Sequence, residues 1–295
     1  MFILGTCTVY GDPHIKTFDG RNYDMSGSCN YVLMDHCHYG PNQTKEFELI
    51  IKATSCSQGN RQCSRSLILN LLHTETPTPI IMDVQIGSDK KKYPIVKVND
   101  REMMNTDAGS YSVSFVNKHT AFLNYGGGKL KIRWTGHDIQ IEADSRYLGQ
   151  TCGLCGTFDQ NPENDYHGRS DVVETNVNDF VKGWIYTAPE VSSAPSCTQV
   201  TEGRELSDSK YCSVYRERAS SAAAYCEVIK SKENVFKDCH SVLAPKMYYD
   251  MCMEDYCKSK EPDNHCKTLG AYAMMCMELG VDLTGWREVT EHCGK

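Results

Sequence analysis

Short apolar or alternating runs recur along the first two thirds of the chain, and each has the length of a β-strand. Turn residues separate several of them, such as Asn99-Asp100 and the glycines at 126–128. The clearest runs are 47–53, 66–72, 80–86, 111–116 and 130–134. Strands this numerous and this closely spaced predict a two-sheet sandwich rather than a parallel sheet with crossover helices.

One helix is predicted where the β-rich part ends. Asn176 is placed to cap a turn in which Phe180, Val181 and Trp184 face the same way. The stretch 187–208 follows; it is rich in Ser, Pro, Thr and Glu and has no apolar period. Its composition predicts a linker.

The remainder of the chain has the pattern of a helical domain. Residues 219–229 favour a helix by propensity, and the methionines around 247–253 and 274–277 are expected to fill a core. Five apolar positions repeat with the spacing of one buried helical face. They are Leu269, Tyr272, Ala273, Cys276 and Leu279.

Composition excludes several classes of function. The chain has 295 residues, a net charge of -7 and 40% hydrophobic residues, which is ordinary for a globular protein. A negative charge argues against nucleic acid or an anionic membrane as the main partner, because both attract basic surfaces. The apolar runs are far shorter than the ~20 residues that cross a bilayer.

Sixteen cysteines indicate an oxidising, extracellular environment. Eight lie in 1–197 and eight in 198–295, so each part can close its own disulfides. We therefore expect an α+β chain with a domain at 1–197, a linker at 198–208 and a helical module at 209–295. A glycosylation sequon at Asn42 agrees with secretion. The first five residues are too few for a secretory signal, so we expect a fragment of a larger secreted protein or a missing N-terminus.

The densest chemistry lies between Cys152 and Asp165. Two cysteines, each followed by glycine, precede a loop of carboxylates and amides. The oxygen-bearing side chains are Asp159, Gln160, Asn161, Glu163, Asn164 and Asp165. Oxygens of this kind on an irregular loop suit calcium, although Asn, Asp and Pro are also ordinary turn residues.

The pair Cys152 and Cys155 has the spacing of a thiol–disulfide exchange site. A redox enzyme places that pair between a strand and a helix, and residues 135–170 lack such a pattern. Zinc would need two further ligands at matched spacing, which the sequence does not offer. Two structural disulfides to different partners are the favoured interpretation.

Three motifs in order resemble those of one protein family. They are CTVYGDPHIKTFDG at 7–20, GSCNYVLM at 27–34 and CGLCG at 152–156. The chain thereby resembles a von Willebrand factor type D domain. Its second half resembles the eight-cysteine helical module that follows such domains in mucins, zonadhesin, tectorin and related secreted proteins. The implied fold is a disulfide-tied β-sandwich type D domain followed by a small disulfide-rich helical module, which covers nearly the whole chain.

The resemblance also implies specific disulfides and calcium ligands. The disulfides are Cys7–Cys155, Cys37–Cys152, Cys29–Cys197 and Cys56–Cys63. The calcium ligands carried over are Asp19, Asp159, Asn161, Asn164 and Asp165. Many members have Asn where this chain has Thr157, and a hydroxyl is a weaker ligand. Calcium would be structural, because crowded carboxylates repel one another until a cation neutralises them.

The segment Asp12-Pro13-His14 carries a second kind of chemistry. Proline holds Asp12 extended, so its carboxyl can attack its own carbonyl carbon while His14 protonates the departing prolyl nitrogen. Some members of the resembled family cleave themselves between these residues at mildly acidic pH. The alternative is that the residues only shape the first turn.

These observations predict a non-enzymatic, calcium-stabilised structural or adhesive module of a secreted matrix or mucin-like protein. Its expected partners are other extracellular or matrix proteins, including copies of itself joined through neighbouring modules, with no nucleic acid and no membrane span. The alternative is an extracellular regulator of growth-factor (BMP-type) signalling with a single type D domain. A third hypothesis is an enzyme, because ostracod luciferases contain related modules.

Overall fold

The chain forms two compact units, Met1–Leu206 and Ser207–Lys295, in a computed structural model. The structure describes residues 4–10, 14–27, 29–37, 40–41, 43–52, 66–72, 79–86, 94–116, 120–135, 138–170, 172–187, 202–205, 216–243, 245–258, 265–278, 280–290 and 293. No helix in these ranges has the length and hydropathy needed to span a membrane.

The first unit consists mainly of antiparallel strands. They are β1 (Leu4–Tyr10), β2 (His14–Lys16), β3 (Asn22–Ser26), β4 (Tyr31–His36), β5 (Phe47–Lys52), β6 (Ser66–Leu71), β7 (Ile80–Ile86), β8 (Pro94–Val98), β9 (Arg101–Met103), β10 (Thr106–Asp107), β11 (Tyr111–Val116), β12 (Thr120–Tyr125), β13 (Leu130–Trp134), β14 (Ile139–Asp144), β15 (Thr151–Cys152) and β16 (Glu202–Glu205).

These strands form two sheets, as the apolar pattern predicts. One sheet has the order β10-β11-β12-β13-β14-β1-β2-β3-β16, and the other β15-β4-β5-β6-β7-β8-β9. Alternation places one face of each strand in the core: along β14, Ile139, Ile141 and Ala143 are buried and the residues between them less so. Trp134 and Phe47 are fully buried in the same core cluster. The two-sheet sandwich is confirmed.

Strand β4 is buried along its whole length, which makes it the central support of the cysteine-rich loop. Leu154 and Cys155 donate backbone hydrogen bonds of 3.1 and 2.9 Å to the carbonyls of Val32 and Leu33. The loop therefore covers this strand, and its near-continuous apolar sequence follows from that cover.

Helix α1 (Val177–Gly183) begins as predicted, with Asn176 accepting a hydrogen bond of 3.0 Å from the backbone of Asp179. The linker prediction for 198–208 is wrong over Glu202–Glu205, which form β16 beside β3. An edge strand held by backbone pairing needs no apolar period, so composition could not indicate it. Gly203 fits because a side chain there would meet the Val177 carbonyl at 2.8 Å.

The second unit is helical. Its helices are α2 (Arg216–Cys226), α3 (Pro245–Lys258) and α4 (His265–Glu278). The predicted helix at 219–229 becomes a 3-10 turn after Cys226. On α4 the predicted face is buried at Leu269, Tyr272, Ala273 and Cys276, whereas Leu279 lies outside the described residues.

Disulfides join the short helices of this unit to one another and to their flanks. The pairs are Cys226–Cys252, Cys239–Cys276 and Cys266–Cys293. The methionine prediction holds in part, since Met251, Met253 and Met275 are buried. It is wrong for Met274 and Met277, which are 52% and 43% exposed because they lie on the opposite face of α4.

Candidate metal centre

Two disulfides hold the acidic loop against the first sheet and β4. Cys7 of β1 is bonded to Cys155, and Cys37, just after β4, is bonded to Cys152. These are the pairs that the family resemblance implies. Cys29 is also in a disulfide, whereas Cys197, Cys56 and Cys63 lie outside the described residues. Because Cys152 and Cys155 are bonded to different partners and lie in a short strand and a turn, they do not form a thioredoxin-like pair.

The two glycines beside these cysteines allow close backbone approach. Gly153 has φ +110°, and a side chain there would meet the Leu33 carbonyl at 2.9 Å. Gly156 has φ +75°, and a Cβ there would lie 2.2 Å from Oδ1 of Asp165. Only glycine fits these two places, which explains why one follows each cysteine.

The turn after β2 brings Asp19 to the loop. Phe18 donates a backbone hydrogen bond of 3.0 Å to the Cys155 carbonyl, next to the Cys7–Cys155 disulfide. The Asp19 carboxylate then accepts hydrogen bonds from the backbone N–H groups of Asp159 (3.0 Å) and Asn161 (3.1 Å). The structure thus places Asp19 beside the acidic loop.

Asp159 and Asn164 form the next part of the cluster. Oδ2 of Asp159 accepts a hydrogen bond of 2.7 Å from the Asn164 amide, and its Oδ1 accepts one of 2.9 Å from the Asn161 backbone. Thr157 is 6% exposed and donates a hydrogen bond of 2.9 Å to Oδ1 of Asn164. The Thr157 hydroxyl, which stands where many members of the resembled family have asparagine, therefore orients another predicted ligand.

Asn161 is exposed, and its side chain supports the local turn. Its side-chain oxygen accepts a hydrogen bond of 3.2 Å from Glu163 and caps the short 3-10 helix Pro162–Asn164. Among the five predicted ligands, it alone is exposed.

Asp165 is the most unusual residue of the cluster because its carboxylate is fully buried. Its Oδ2 accepts a hydrogen bond of 2.6 Å from the Thr17 hydroxyl. Its Oδ1 has no hydrogen-bond partner among the described residues. Burial raises the pKa of Asp165 to about 8, and the negative charges of Asp19 and Asp159 add to the shift.

Asp19 and Asp159 titrate as an interacting pair. Burial raises the pKa of Asp19, and its hydrogen bond with Asp159 adds to that shift. Burial also opposes ionisation of Asp159, but hydrogen bonds from Asn164 and Asp19 outweigh it and lower the pKa of Asp159. Without a cation, the raised pKa values of Asp19 and Asp165 mean that these carboxylates hold protons more readily. A bound cation would supply the positive charge in place of those protons.

The donor chemistry fits a hard cation such as calcium, because every candidate side chain offers oxygen. Calcium takes about six to eight oxygen ligands, so amide and backbone oxygens would be needed beside the three carboxylates. Two other groups in the described ranges contain close ligand atoms, His265 with Cys266 and Cys293, and Asp35 with Cys37 and Cys152. Each includes a disulfide, whose sulfurs are not thiolate ligands.

Of the predicted self-cleavage residues, only His14 lies in the described part of the chain. It is 4% exposed, and its Nδ1 is hydrogen-bonded to the Asp24 carboxylate on the neighbouring strand β3. Asp12, Pro13 and the glycosylation candidate Asn42 lie outside the described residues.

Comparison with known proteins gives two matches, one in each unit. The family model described as von Willebrand factor type D domain matches residues 7–172, and the model described as C8 domain matches residues 225–294. The first match spans more than half of the chain.

Similar proteins include mucin-2 of Mus musculus, 31% identical over 92% of this chain. Zonadhesin of Mus musculus is 27% identical over 98% of this chain, and von Willebrand factor of Bos taurus is 28% identical over 96% of this chain. The chain spans only 5% of that mucin-2, 5% of that zonadhesin and 28% of that von Willebrand factor.

Proposed function

The chain belongs to the von Willebrand factor type D domain family, and on that basis we propose that it is a calcium-stabilised structural and adhesive module. It would serve a larger secreted matrix or mucin-like protein without enzymatic activity. Its partners would be other extracellular or matrix proteins, including copies of itself joined through neighbouring modules. The names of its relatives, the type D and C8 matches and the disulfides support this proposal.

The observation that carries the calcium part is the buried Oδ1 of Asp165, which has no hydrogen-bond partner in the described part of the chain. An ionised carboxylate in such a place is costly unless a positive charge lies beside it. Bound calcium would supply that charge. The residues that would hold it are Asp19, Asp159, Asn161, Asn164 and Asp165.

The chain's own residues prepare this site in three ways. The Cys7–Cys155 and Cys37–Cys152 disulfides fix the loop beside the turn that carries Asp19. Thr17 orients Asp165, and Thr157 orients Asn164. A module tied together in this manner presents a fixed surface, which suits assembly with partners.

Chelation tests the calcium proposal directly. Removal of calcium should lower the melting temperature of the wild-type chain, because the carboxylates then repel one another. Asp159→Ala should abolish this sensitivity to chelator. Asp107→Ala is a matched control, since Asp107 is an exposed aspartate whose carboxylate bonds Gly109 in its own turn; it should behave as wild type. Equal melting curves with and without chelator in the wild type would refute the proposal.

A second candidate activity, self-cleavage between Asp12 and Pro13, is favoured by the His14–Asp24 pair. A carboxylate beside an imidazole stabilises its protonated form, which is the acid that the reaction needs. The Asp12 carboxylate would attack its own carbonyl carbon and form a cyclic anhydride. The prolyl nitrogen would leave with a proton taken from that acid.

Incubation near pH 5–6 followed by a reducing gel tests the cleavage. We expect release of a peptide ending at Asp12, and a slower reaction in Asp24→Asn. On a non-reducing gel the Cys7–Cys155 disulfide should hold the two pieces together. A reduced chain that stays intact at all times would exclude the reaction.

The other two hypotheses have their own tests. Cysteine-rich type C repeats upstream in the full-length protein would favour a regulator of growth-factor signalling, whereas repeated D modules or Ser/Thr/Pro-rich tracts favour the mucin-like assignment. Light emission with a luciferin would support the enzyme hypothesis, and its absence would remove it.

A further inference from the structure

The Cys266–Cys293 disulfide of the helical unit borders a cavity. The cavity has a volume of about 290 Å³. Residues that line it include Tyr225, His265, Leu269, Glu288, Val289 and Cys293. Both Cys266 and Cys293 are partly exposed. The other bonded cysteines described in this unit, Cys226, Cys239, Cys252, Cys257 and Cys276, are at most 2% exposed.

A histidine lies directly against one sulfur of this disulfide. Nε2 of His265 is 3.6 Å from Sγ of Cys266. The ring is 2% exposed, is stacked on Tyr225 with centroids 4.7 Å apart, and meets the edge of Tyr256 at 5.4 Å. Two aromatic neighbours therefore fix the orientation of the imidazole, with Nε2 toward the sulfur.

The two sulfurs consequently have different surroundings. Cys293 lines the cavity together with His265, and a nitrogen of that imidazole lies within 4.8 Å of both sulfurs but directly against Sγ of Cys266, at 3.6 Å. Such a difference gives thiol–disulfide exchange a preferred direction, because a thiolate attacks one sulfur while the other sulfur leaves. A leaving sulfur departs faster when a nearby acid lowers its basicity. The geometry thus assigns Cys293 as the attacked sulfur and Cys266 as the leaving sulfur.

We propose that the Cys266–Cys293 disulfide is a thiol-exchange site whose cavity receives an incoming thiol and whose leaving sulfur is protonated by His265. An incoming thiolate forms a bond to Sγ of Cys293 as the Cys266–Cys293 bond breaks. The electron pair remains on Sγ of Cys266, which takes a proton from Nε2 of protonated His265. One disulfide replaces another, so the step requires no oxidant beyond the existing disulfide and no reductant beyond the incoming thiol.

The cavity wall indicates which thiols enter most readily. Leu269, Val289 and the ring of Tyr225 are mainly apolar, and Glu288 contributes a carboxylate to the lining. A small neutral or cationic thiol should therefore react faster than anionic glutathione. The incoming thiol can belong to a small molecule or to a cysteine of another polypeptide, because both present the same attacking atom.

The site is tested by identifying which disulfide a thiol opens first. The native full chain is treated with limiting cysteamine, free thiols are trapped with iodoacetamide, and the cysteines are identified by peptide mass mapping. Cysteamine should appear on Cys293 and the alkyl group on Cys266 before the Cys226–Cys252 and Cys239–Cys276 disulfides react. The opposite placement, or simultaneous loss of all three disulfides, would overturn the proposal. This measurement uses wild-type protein and stands even where a variant fails to fold.

Substitution of the histidine tests its part. His265→Gln should slow the opening of the Cys266–Cys293 disulfide by at least about tenfold. This is a cautious figure, because a general acid usually contributes more than that. His240→Gln is the matched control, since His240 follows Cys239 directly but bonds the Ile229 carbonyl at 2.8 Å. It should react at the wild-type rate. Equal rates in a folded His265→Gln chain would remove His265 from the mechanism.

Two further comparisons complete the experiment. A disulfide-linked dimer through Cys293, formed with catalytic thiol, would identify a polypeptide cysteine as the source, whereas a small-thiol adduct alone would identify a small molecule. The rate should be the same with calcium or chelator present, so failure here leaves the calcium proposal intact, and the reverse also holds.

Discussion

At the residue scale, Asp165 shows how the loop couples charge to stability. Its carboxylate is fully buried, and its pKa lies at about 8, mainly because of burial. An aspartate in an unfolded chain has a pKa near 3.9. Between these two values the metal-free folded chain binds a proton that the unfolded chain releases.

This difference predicts the pH dependence of the metal-free protein. Since the folded pKa is raised, the stability that depends on protonated Asp165 is present at low pH and is lost as pH rises toward 8. In chelator, the free energy of unfolding should fall by roughly 2 kcal/mol between pH 6 and pH 8 from this group alone. Asp165→Asn should lack that part of the decrease. Urea titrations of both chains at the two pH values give the comparison. An equal fall in the free energy of unfolding in the two chains would contradict the assignment.

Gly156 tests the close approach between the loop backbone and Asp165. Gly156→Ala would place a methyl group 2.2 Å from Oδ1 of Asp165 in a backbone with φ +75°. We expect a loss of at least about 3 kcal/mol, which combines the strain of the left-handed backbone with overpacking. Gly127→Ala is the control, because Gly127 has φ +68° but no described atom within 4 Å of an added Cβ. It should cost only about 1–2 kcal/mol in urea unfolding, and equal losses would mean that the contact is unimportant.

The sequence predicted some of these residue contacts and could not predict others. Asp19 and Asp165 were expected at the site from the family resemblance. Thr17 was not, because it lies 148 residues from Asp165 and has no local pattern that marks it. Thr157 was expected to be a weak ligand, whereas its hydroxyl orients Asn164. Contacts between residues this far apart in the sequence depend on the disulfides and the sheet register rather than on nearby sequence.

At the scale of elements, strand β1 is the point where the sheet meets the loop. Gly5 of β1 lies against the ring of Phe158, and a side chain at Gly5 would be 2.7 Å from that ring. Phe158 also packs on Phe18, with centroids 5.5 Å apart, in the turn that carries Asp19. A change in β1 should therefore reach the candidate metal centre through one aromatic ring.

Gly5→Ala tests this connection. The added methyl should push Phe158 outward, lower the free energy of unfolding by about 1–3 kcal/mol and weaken the stabilisation by calcium. Gly183→Ala is the control, because Gly183 ends α1 and an added Cβ there meets no described atom within 4 Å. It should be neutral or slightly stabilising. Thermal melts of both variants with calcium and with chelator provide the comparison, and an unchanged calcium response in Gly5→Ala would show that Phe158 does not link the two.

Strands and helices were predicted correctly where burial produces a periodic pattern of apolar residues. The prediction failed where backbone pairing alone holds a strand. The runs that became β5, β6, β7, β11 and β13 have alternating or continuous apolar positions. Strand β16 has none and is held by its pairing with β3 and by the fit of Gly203 on Val177. The buried methionines of α3 and α4 followed the same rule, while Met274 and Met277 project outward.

At the scale of the whole molecule, the cysteine count was the most informative feature of the sequence. Its even division predicted two parts that close their own disulfides. Each of the five described disulfides joins cysteines of the same unit. Charge and composition alone indicated only an extracellular globular chain, because many secreted proteins share those values.

Each unit has its own disulfides, so calcium bound at the proposed site should act on one unit of the chain and not on the other. The candidate ligands all lie in the first unit, Met1–Leu206. Chelation should therefore lower the melting temperature of that unit and leave the transition of the helical unit unchanged. Tryptophan fluorescence separates the two, since Trp134 and Trp184 are buried in the first unit and Trp286 in the second. In Trp286→Phe the fluorescence transition should shift with calcium, and in a Trp134→Phe/Trp184→Phe chain it should not. A shift of the Trp286 signal equal to that of the first unit would show that the two units unfold as one.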